Sequence, residues 1–307
     1  MRKKAWVNLL LFALTVLSTF FVGLAWGANY VFADGLPAGS EPGSAVSLFN
    51  PQVLWLGAVY SLVLMLILGG HELGHFLACR RYGIDASLPY FIPFPSLIGT
   101  SGAFIKIRSP ILSKRHLFDI GVAGPLISFA LSIPAVLGGL ALSRTVSGLP
   151  GGEVILFGEP LILKAAAGLF FKQLGQGAGI ILHPVAFAGW VGLLVSSFNL
   201  FPVGQLDGGH IVYAVLGSRS RKLHLVVVPA LIMMGIFLWL GWLAWALLIV
   251  IFGLKHPRVL DEDASLGRGR ELLGALTVLI FILSFIPAPV KGYDLFSLLL
   301  QLGIGVK

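Results

Sequence analysis

Apolar runs of about the length of a membrane span recur along the chain, at 5–26, 53–79, 120–142, 184–203, 223–240, 242–254 and 272–286. A helix crosses the hydrocarbon in about 20 residues, so this rhythm predicts a bundle of transmembrane helices. The stretch 223–254 suits either two short spans joined at Gly241 or one long broken helix. Two intervals interrupt the pattern. Between 82 and 119, Pro and Gly punctuate the chain, and 101–108 alternates like a short strand. A strand facing lipid would leave backbone donors unpaired, so this piece belongs at the interface or against the protein interior. The interval 142–183 has weak helical patterning and few charges, which suits a surface or re-entrant element.

Composition strengthens the membrane reading: 57% of residues are hydrophobic, 11% are charged and mean hydropathy is +0.94. A net charge of +8 could suggest nucleic acid, but Lys and Arg sit in short clusters between apolar runs, which is the positive-inside pattern. Arg2, Lys3 and Lys4 precede the first run, and the following loop has Asp34 and Glu41 but no Lys or Arg. The next loop carries Arg80, Arg81, Lys106, Arg108, Lys114 and Arg115. Basic loops recur at Arg219, Arg221 and Lys222, and at Lys255, Arg258, Arg268 and Arg270 against Asp261, Glu262 and Asp263. With these loops cytoplasmic, the N-terminus is cytoplasmic, 223–254 is a hairpin, and about seven spans put the C-terminus outside. One re-entrant element would reduce the count to six or fewer. The first run exceeds the ~7–15 residues of a signal-peptide core and reads as an uncleaved anchor, although small residues at 25–28 leave cleavage open. The single cysteine, Cys79, allows no intrachain disulfide.

The second run contains Gly70-His71-Glu72-Leu73-Gly74-His75. On a helix, His71 and His75 share one face about 6 Å apart along the axis, as two imidazoles on one tetrahedral Zn²⁺ require. Glu72 flanks that face as the candidate general base. Three ionisable side chains in an apolar span cost several kcal/mol unless paired or metal-bound, so they are improbable passengers. Counted back from Arg80, His71 lies about 13 Å inside the helix end, at hydrocarbon depth. Two histidines leave a zinc site short of a third protein ligand. Asp207 is the candidate, in Asn199-Leu-Phe-Pro202-Val-Gly-Gln-Leu206-Asp207-Gly208-Gly209-His210, where Pro and Gly break the helix and free the backbone to turn it inward; an ordinary Asp-Gly turn is the plainer reading of that motif alone.

Taken together, His71-Glu-Leu-Gly-His75, Asn199-Leu-Phe-Pro202 and Leu206-Asp207-Gly208-Gly209 resemble the site-2 protease family of intramembrane zinc metalloproteases. The resemblance covers about 53–210, and Gly124-Pro125 looks like the family's Gly-Pro between the two motifs. It implies His71, His75 and Asp207 as ligands of one Zn²⁺ per chain and Glu72 as catalytic base. Asn199 would then help hold the substrate or the developing oxyanion. It also implies the fold: an all-α polytopic membrane protein of about six to seven transmembrane helices, forming a single membrane-embedded domain over 1–307. A three-helix catalytic core at about 53–210 would be flanked by helices at 5–26 and 223–286. The 101–108 strand looks like the family's membrane-associated β element, a candidate for guiding substrate by strand addition. No loop is long enough for the PDZ-type domain that some members carry.

The expected function is intramembrane zinc endopeptidase, acting on single-span membrane proteins or signal-peptide remnants in the lipid bilayer. A bacterial inner membrane, with the site toward the cytoplasm, is the expected location; nucleic acid is not an expected partner, and oligomeric state is open. The competing readings are a cation transporter and a catalytically silent chaperone-like relative. Transport calls for carboxylates and carbonyls rather than H-E-x-x-H, and no second half repeats the first.

Overall fold

The computed structural model describes residues 5–33, 48–147, 155–171, 178–252, 259–261 and 264–301. Asp34, Glu41, Lys255, Arg258, Glu262, Asp263 and the N-terminal Arg2, Lys3 and Lys4 lie outside them. Among the described residues, three helices are long and apolar enough to cross a membrane: α1 (Ala5–Val31), α2 (Pro51–Arg81) and α3 (Lys114–Ala141). A ten-residue helix, α4 (Leu161–Phe170), sits in the weakly patterned interval. The remaining expected spans are held by α5 (Pro184–Asn199), α7 (His224–Phe237), α8 (Gly241–Phe252) and α9 (Arg268–Ser284). At 16, 14, 12 and 17 described residues, each is shorter than the ~20 of a full span, so helix length by itself identifies three crossings. Between them, α6 (Asp207–Leu216) leads into a 3₁₀ turn, and α10 (Leu295–Gln301) follows α9. Helix α5 stops short of the expected 203 because Pro202 has no N–H and disfavours helical backbone at Phe201.

The chain packs as two compact units, one of 1–109, 126–152 and 162–195, the other of 110–125, 153–161 and 196–307. The division falls inside α3, after Pro125, and inside α5, after Val195.

In the first unit α1 is packed inside out, as lipid requires. Trp6, Leu9 and Phe21 are 62–69% exposed, whereas Asn8, Thr15 and Thr19 are buried. Lipid tails are as apolar as leucine, so helices associate through close packing and polar contacts rather than by burying oil from water. Both occur here. A Cβ on Gly23 would come within 2.7 Å of the Gly57 carbonyl, and the Thr19 and Ser61 hydroxyls are hydrogen-bonded at 2.7 Å. The first run is thus an integral packing partner of α2, which begins at an Asn50 cap with Pro51 in its first turn and ends in Arg80 and Arg81. Such ends suit the helix dipole.

The 82–110 interval forms a hairpin of β1 (Tyr90–Pro93) and β2 (Thr100–Phe104), with Phe91 opposite Ala103. The expected 101–108 strand is shorter at its C-terminal end, where only Ile107 bridges back to Ala86. The hairpin lies along α1, against the protein interior. Asn8 donates to the Leu88 and Pro89 carbonyls, and Trp26 donates to Leu97. These contacts are 18 residues apart, roughly 27 Å of helix against a hydrocarbon thickness of about 30 Å. Tyr60 donates to the Ile98 carbonyl and Thr100 to Ile92, so side chains satisfy carbonyls that no strand pairs. Gly99, at φ +83°, lets the tip lie against Thr19.

A second two-stranded antiparallel sheet, β3 (Arg144–Ser147) with β4 (Ala178–Ile181), was not foreseen from the sequence. It is anchored to the end of α1: the Arg144 guanidinium donates to the Tyr30 carbonyl and covers its ring at 4.3 Å. Helices α3 and α5 meet through small residues, where a side chain on Gly139 would overlap Ala186 and one on Gly189 would crowd Val136.

In the second unit the start of α3 is capped twice. Ser113 accepts from the Arg115 N–H, and Asp261 accepts from the Lys114 N–H at 2.6 Å and the Ser113 hydroxyl at 2.8 Å. One turn on, Arg270 of α9 grips Asp119 with two bonds of 2.8 and 2.7 Å.

Two predictions follow from this packing. Gly57→Leu forces the α1 and α2 backbones apart and should destabilise the folded protein by about 1–3 kcal/mol, read as a lower thermal midpoint in detergent. For Asp261, partial burial raises the carboxyl's pKa, but the Lys114 and Ser113 hydrogen bonds outweigh it and hold the group below its ordinary value. A depressed carboxylate stabilises the fold above about pH 4 and ceases to as the pH falls through its folded value. Asp261→Ala should therefore lower the thermal midpoint at pH 7, and its difference from wild type should shrink toward pH 3.

Candidate metal centre

Helix α2 carries His71, Glu72 and His75 inward, 2%, 5% and 6% exposed. The i, i+4 spacing does what helical geometry predicts: the two Nε2 atoms lie 3.0 Å apart. Two nitrogens on one tetrahedral zinc at about 2.05 Å would be separated by roughly 3.3 Å, so the pair needs little movement to share an ion. His71 is held from behind, where its Nδ1 lies 3.0 Å from the Ser128 hydroxyl of α3. Gly70, the residue before it, makes this approach possible. A Cβ there would come within 2.6 Å of Leu131 and 3.1 Å of Ile127, the side chains on either side of Ser128.

In the second unit, Asn199 is the last residue of α5. Its neighbours Phe198 and Phe201 are buried against Trp242, with ring centroids at 5.1 and 5.5 Å. Trp242 is itself fully buried and donates its indole N–H to the Pro287 carbonyl at 2.7 Å. The backbone then turns through Pro202 and Gly204, at φ +63°, and re-enters a helix at Asp207, the first residue of α6. A carboxylate is favoured in the first turn of a helix. The two glycines after it have a steric cause: a Cβ on Gly208 would overlap the Leu200 carbonyl, and one on Gly209 would lie 2.7 Å from that of Val203. Across from them, α3 presents Gly121, whose absent side chain leaves room for the Asp207 carbonyl and the His210 Cβ.

One ligand atom each from His71, His75 and Asp207 lies within 4.8 Å of the other two. Two imidazole nitrogens and one carboxylate oxygen, with room for a fourth ligand, are the donor set of a catalytic zinc site. Glu72 is buried on the same helix, next to His71, and Asn199 closes the helix before the Asp207 turn. Ser128 was missed by the sequence reading. Its signal was a pair of hydroxyls four apart, Ser128 and Ser132, in the otherwise apolar stretch of α3 after Asp119.

Residues 59–242, more than half of the chain, match the model of peptidase family M50. The chain belongs to that family, the site-2 proteases. Among curated proteins, it is 30% identical to the rice probable zinc metalloprotease EGY1, chloroplastic, over 92% of this chain and 50% of that protein. It is 31% identical to its Arabidopsis thaliana namesake, over 92% of this chain and 53% of that one. A rice probable zinc metalloprotease EGY2, chloroplastic, is 31% identical over 80% of this chain and 47% of its own length. The chain thus spans about half the length of these relatives. No solved structure matches.

The turn gives a direct test. Gly208→Ala should displace Asp207 and lower the metal content of the purified protein. Gly138→Ala, on α3 with open space around it, should leave metal content at the wild-type level.

Proposed function

We propose that this chain is an intramembrane zinc endopeptidase that cuts peptide bonds in or near the transmembrane segments of single-span membrane proteins or signal-peptide remnants. The observation that carries this reading is the convergence of His71, His75 and Asp207 donor atoms within 4.8 Å, with both histidines buried in a helix of membrane-crossing length. Membership of family M50 and the names of the EGY relatives support zinc as the ion and peptide hydrolysis as the reaction.

Zinc bound by these three residues supplies a Lewis acid that polarises the scissile carbonyl and lowers the pKa of water. Glu72 takes the proton of the attacking water and delivers it to the leaving amine nitrogen. Asn199 holds the substrate backbone, or donates to the oxygen on which negative charge develops. A helical substrate buries its carbonyls in its own hydrogen-bond ladder, so the target must unwind locally, and helix-breaking residues near the cut favour cleavage. The β1–β2 hairpin, lying along α1 through the hydrocarbon, supports a role for its free edge in receiving an extended substrate.

The finer topology belongs to this proposal. Helices α5 and α9 and the α7–α8 pair are short crossings, and the basic loops put the Arg80 end of α2 on the cytoplasmic side. A bacterial inner membrane is the location this reading favours, and the relatives named chloroplastic make an organellar membrane the alternative.

The test is the full chain purified in detergent, with bound zinc measured and cleavage assayed on a panel of single-span substrates. Wild type should hold about one zinc per chain. Glu72→Gln should keep the zinc and lose about 10²–10⁴-fold in rate, the usual worth of a general base. His71→Ala and Asp207→Ala should lose zinc and rate together, and Asn199→Ala should keep zinc with kcat reduced about 10²–10³-fold. An active Glu72→Gln protein would remove Glu72 from the mechanism, and zinc without cleavage of any substrate would return the silent-relative reading.

A further inference from the structure

We propose that Ser128 is a positioning residue of the metal centre, accepting a hydrogen bond from His71 Nδ1 and so presenting Nε2 as the metal-binding nitrogen. The inference rests on the zinc reading above and adds a residue to it.

A neutral imidazole carries its proton on one nitrogen and its lone pair on the other. His71 Nε2 faces His75 Nε2 at 3.0 Å, and Nδ1 faces the Ser128 hydroxyl at 3.0 Å. Coordination through Nε2 therefore requires the proton on Nδ1, where the Ser128 oxygen is in place to accept it. Partners of this kind set the tautomer and ring orientation of metal-bound histidines.

The hydroxyl is held, not merely near. Ser128 is 1% exposed. Its neighbours Ile127 and Leu131 press on Gly70, next to His71 in α2. The contact between α2 and α3 thus fixes the position of one oxygen. A hydroxyl does this work without a further charge, whereas a carboxylate in the same place would add an anion at hydrocarbon depth, where charge is costly.

The experiment is a chelator competition that measures zinc affinity on full-length protein in detergent, for wild type, Ser128→Ala, Ser128→Thr and Ser132→Ala. Ser128→Ala should bind zinc about 10–100-fold more weakly, the usual effect of removing such a partner. Ser128→Thr keeps the hydroxyl and should stay within about threefold of wild type. So should Ser132→Ala, which removes a buried hydroxyl of the same helix that donates to a helix carbonyl one turn back. The proposal is overturned if Ser128→Ala binds like wild type, or if Ser132→Ala weakens zinc as much, since the effect would then be one of helix packing. Failure of wild type itself to bind zinc would overturn the zinc reading and this inference together.

Discussion

In hydrocarbon there is no water to complete a hydrogen bond, and an unmet polar group costs several kcal/mol. This constraint governs nearly every notable contact in the protein. The buried histidines of α2 face each other and Ser128. The β1–β2 hairpin, whose outer carbonyls would be untenable in lipid, is served by Asn8, Trp26 and Tyr60 from two helices and by its own Thr100. Elsewhere, threonine and serine hydroxyls of the spanning helices bond to the carbonyl one turn back, as at Thr15, Thr19, Ser132 and Thr277. Among the described residues most buried polar side chains have such a partner; the Ser284 hydroxyl at the end of α9 is an exception.

Supplying those partners demands close approach, and close approach demands small residues. Gly23 and Gly57 join α1 to α2, Gly70 admits α3 beside His71, and Gly139 and Gly189 join α3 to α5. In the second unit Gly121, Gly208 and Gly209 do the same for the turn that carries Asp207. The glycines that flank the candidate metal ligands in the two motifs are thus steric requirements of the scaffold.

The two parts of the site are held by different means. The histidines belong to a continuous 31-residue helix, where backbone hydrogen bonds alone set their spacing. Asp207 stands after a turn, where no regular ladder fixes it. Its support is tertiary: Phe198 and Phe201 against Trp242 before the turn, the two glycines within it, and Gly121 of α3 across from it. A scaffold that holds a metal ligand on a turn needs this denser packing, because a site about 1 Å too loose loses most of its function.

The sequence alone determined what depends on neighbours along the chain. The membrane setting followed from apolar runs, the pairing of His71 with His75 from a helical period, and the candidacy of Asp207 from the scarcity of charge at that depth. Even the β element was legible, because Pro and Gly forbid a helix through 82–110. What the tertiary structure decided was which faces meet: that the hairpin runs the depth of α1, that 144–147 pairs with 178–181, that α5 ends at Asn199, and that Ser128 stands behind His71. A serine in an apolar helix looks the same in sequence whether it faces its own backbone or a metal ligand on the next helix. Local periodicity fixes spacing within one element. Contacts between elements depend on which small residues let two helices approach, and that is settled only when the bundle packs.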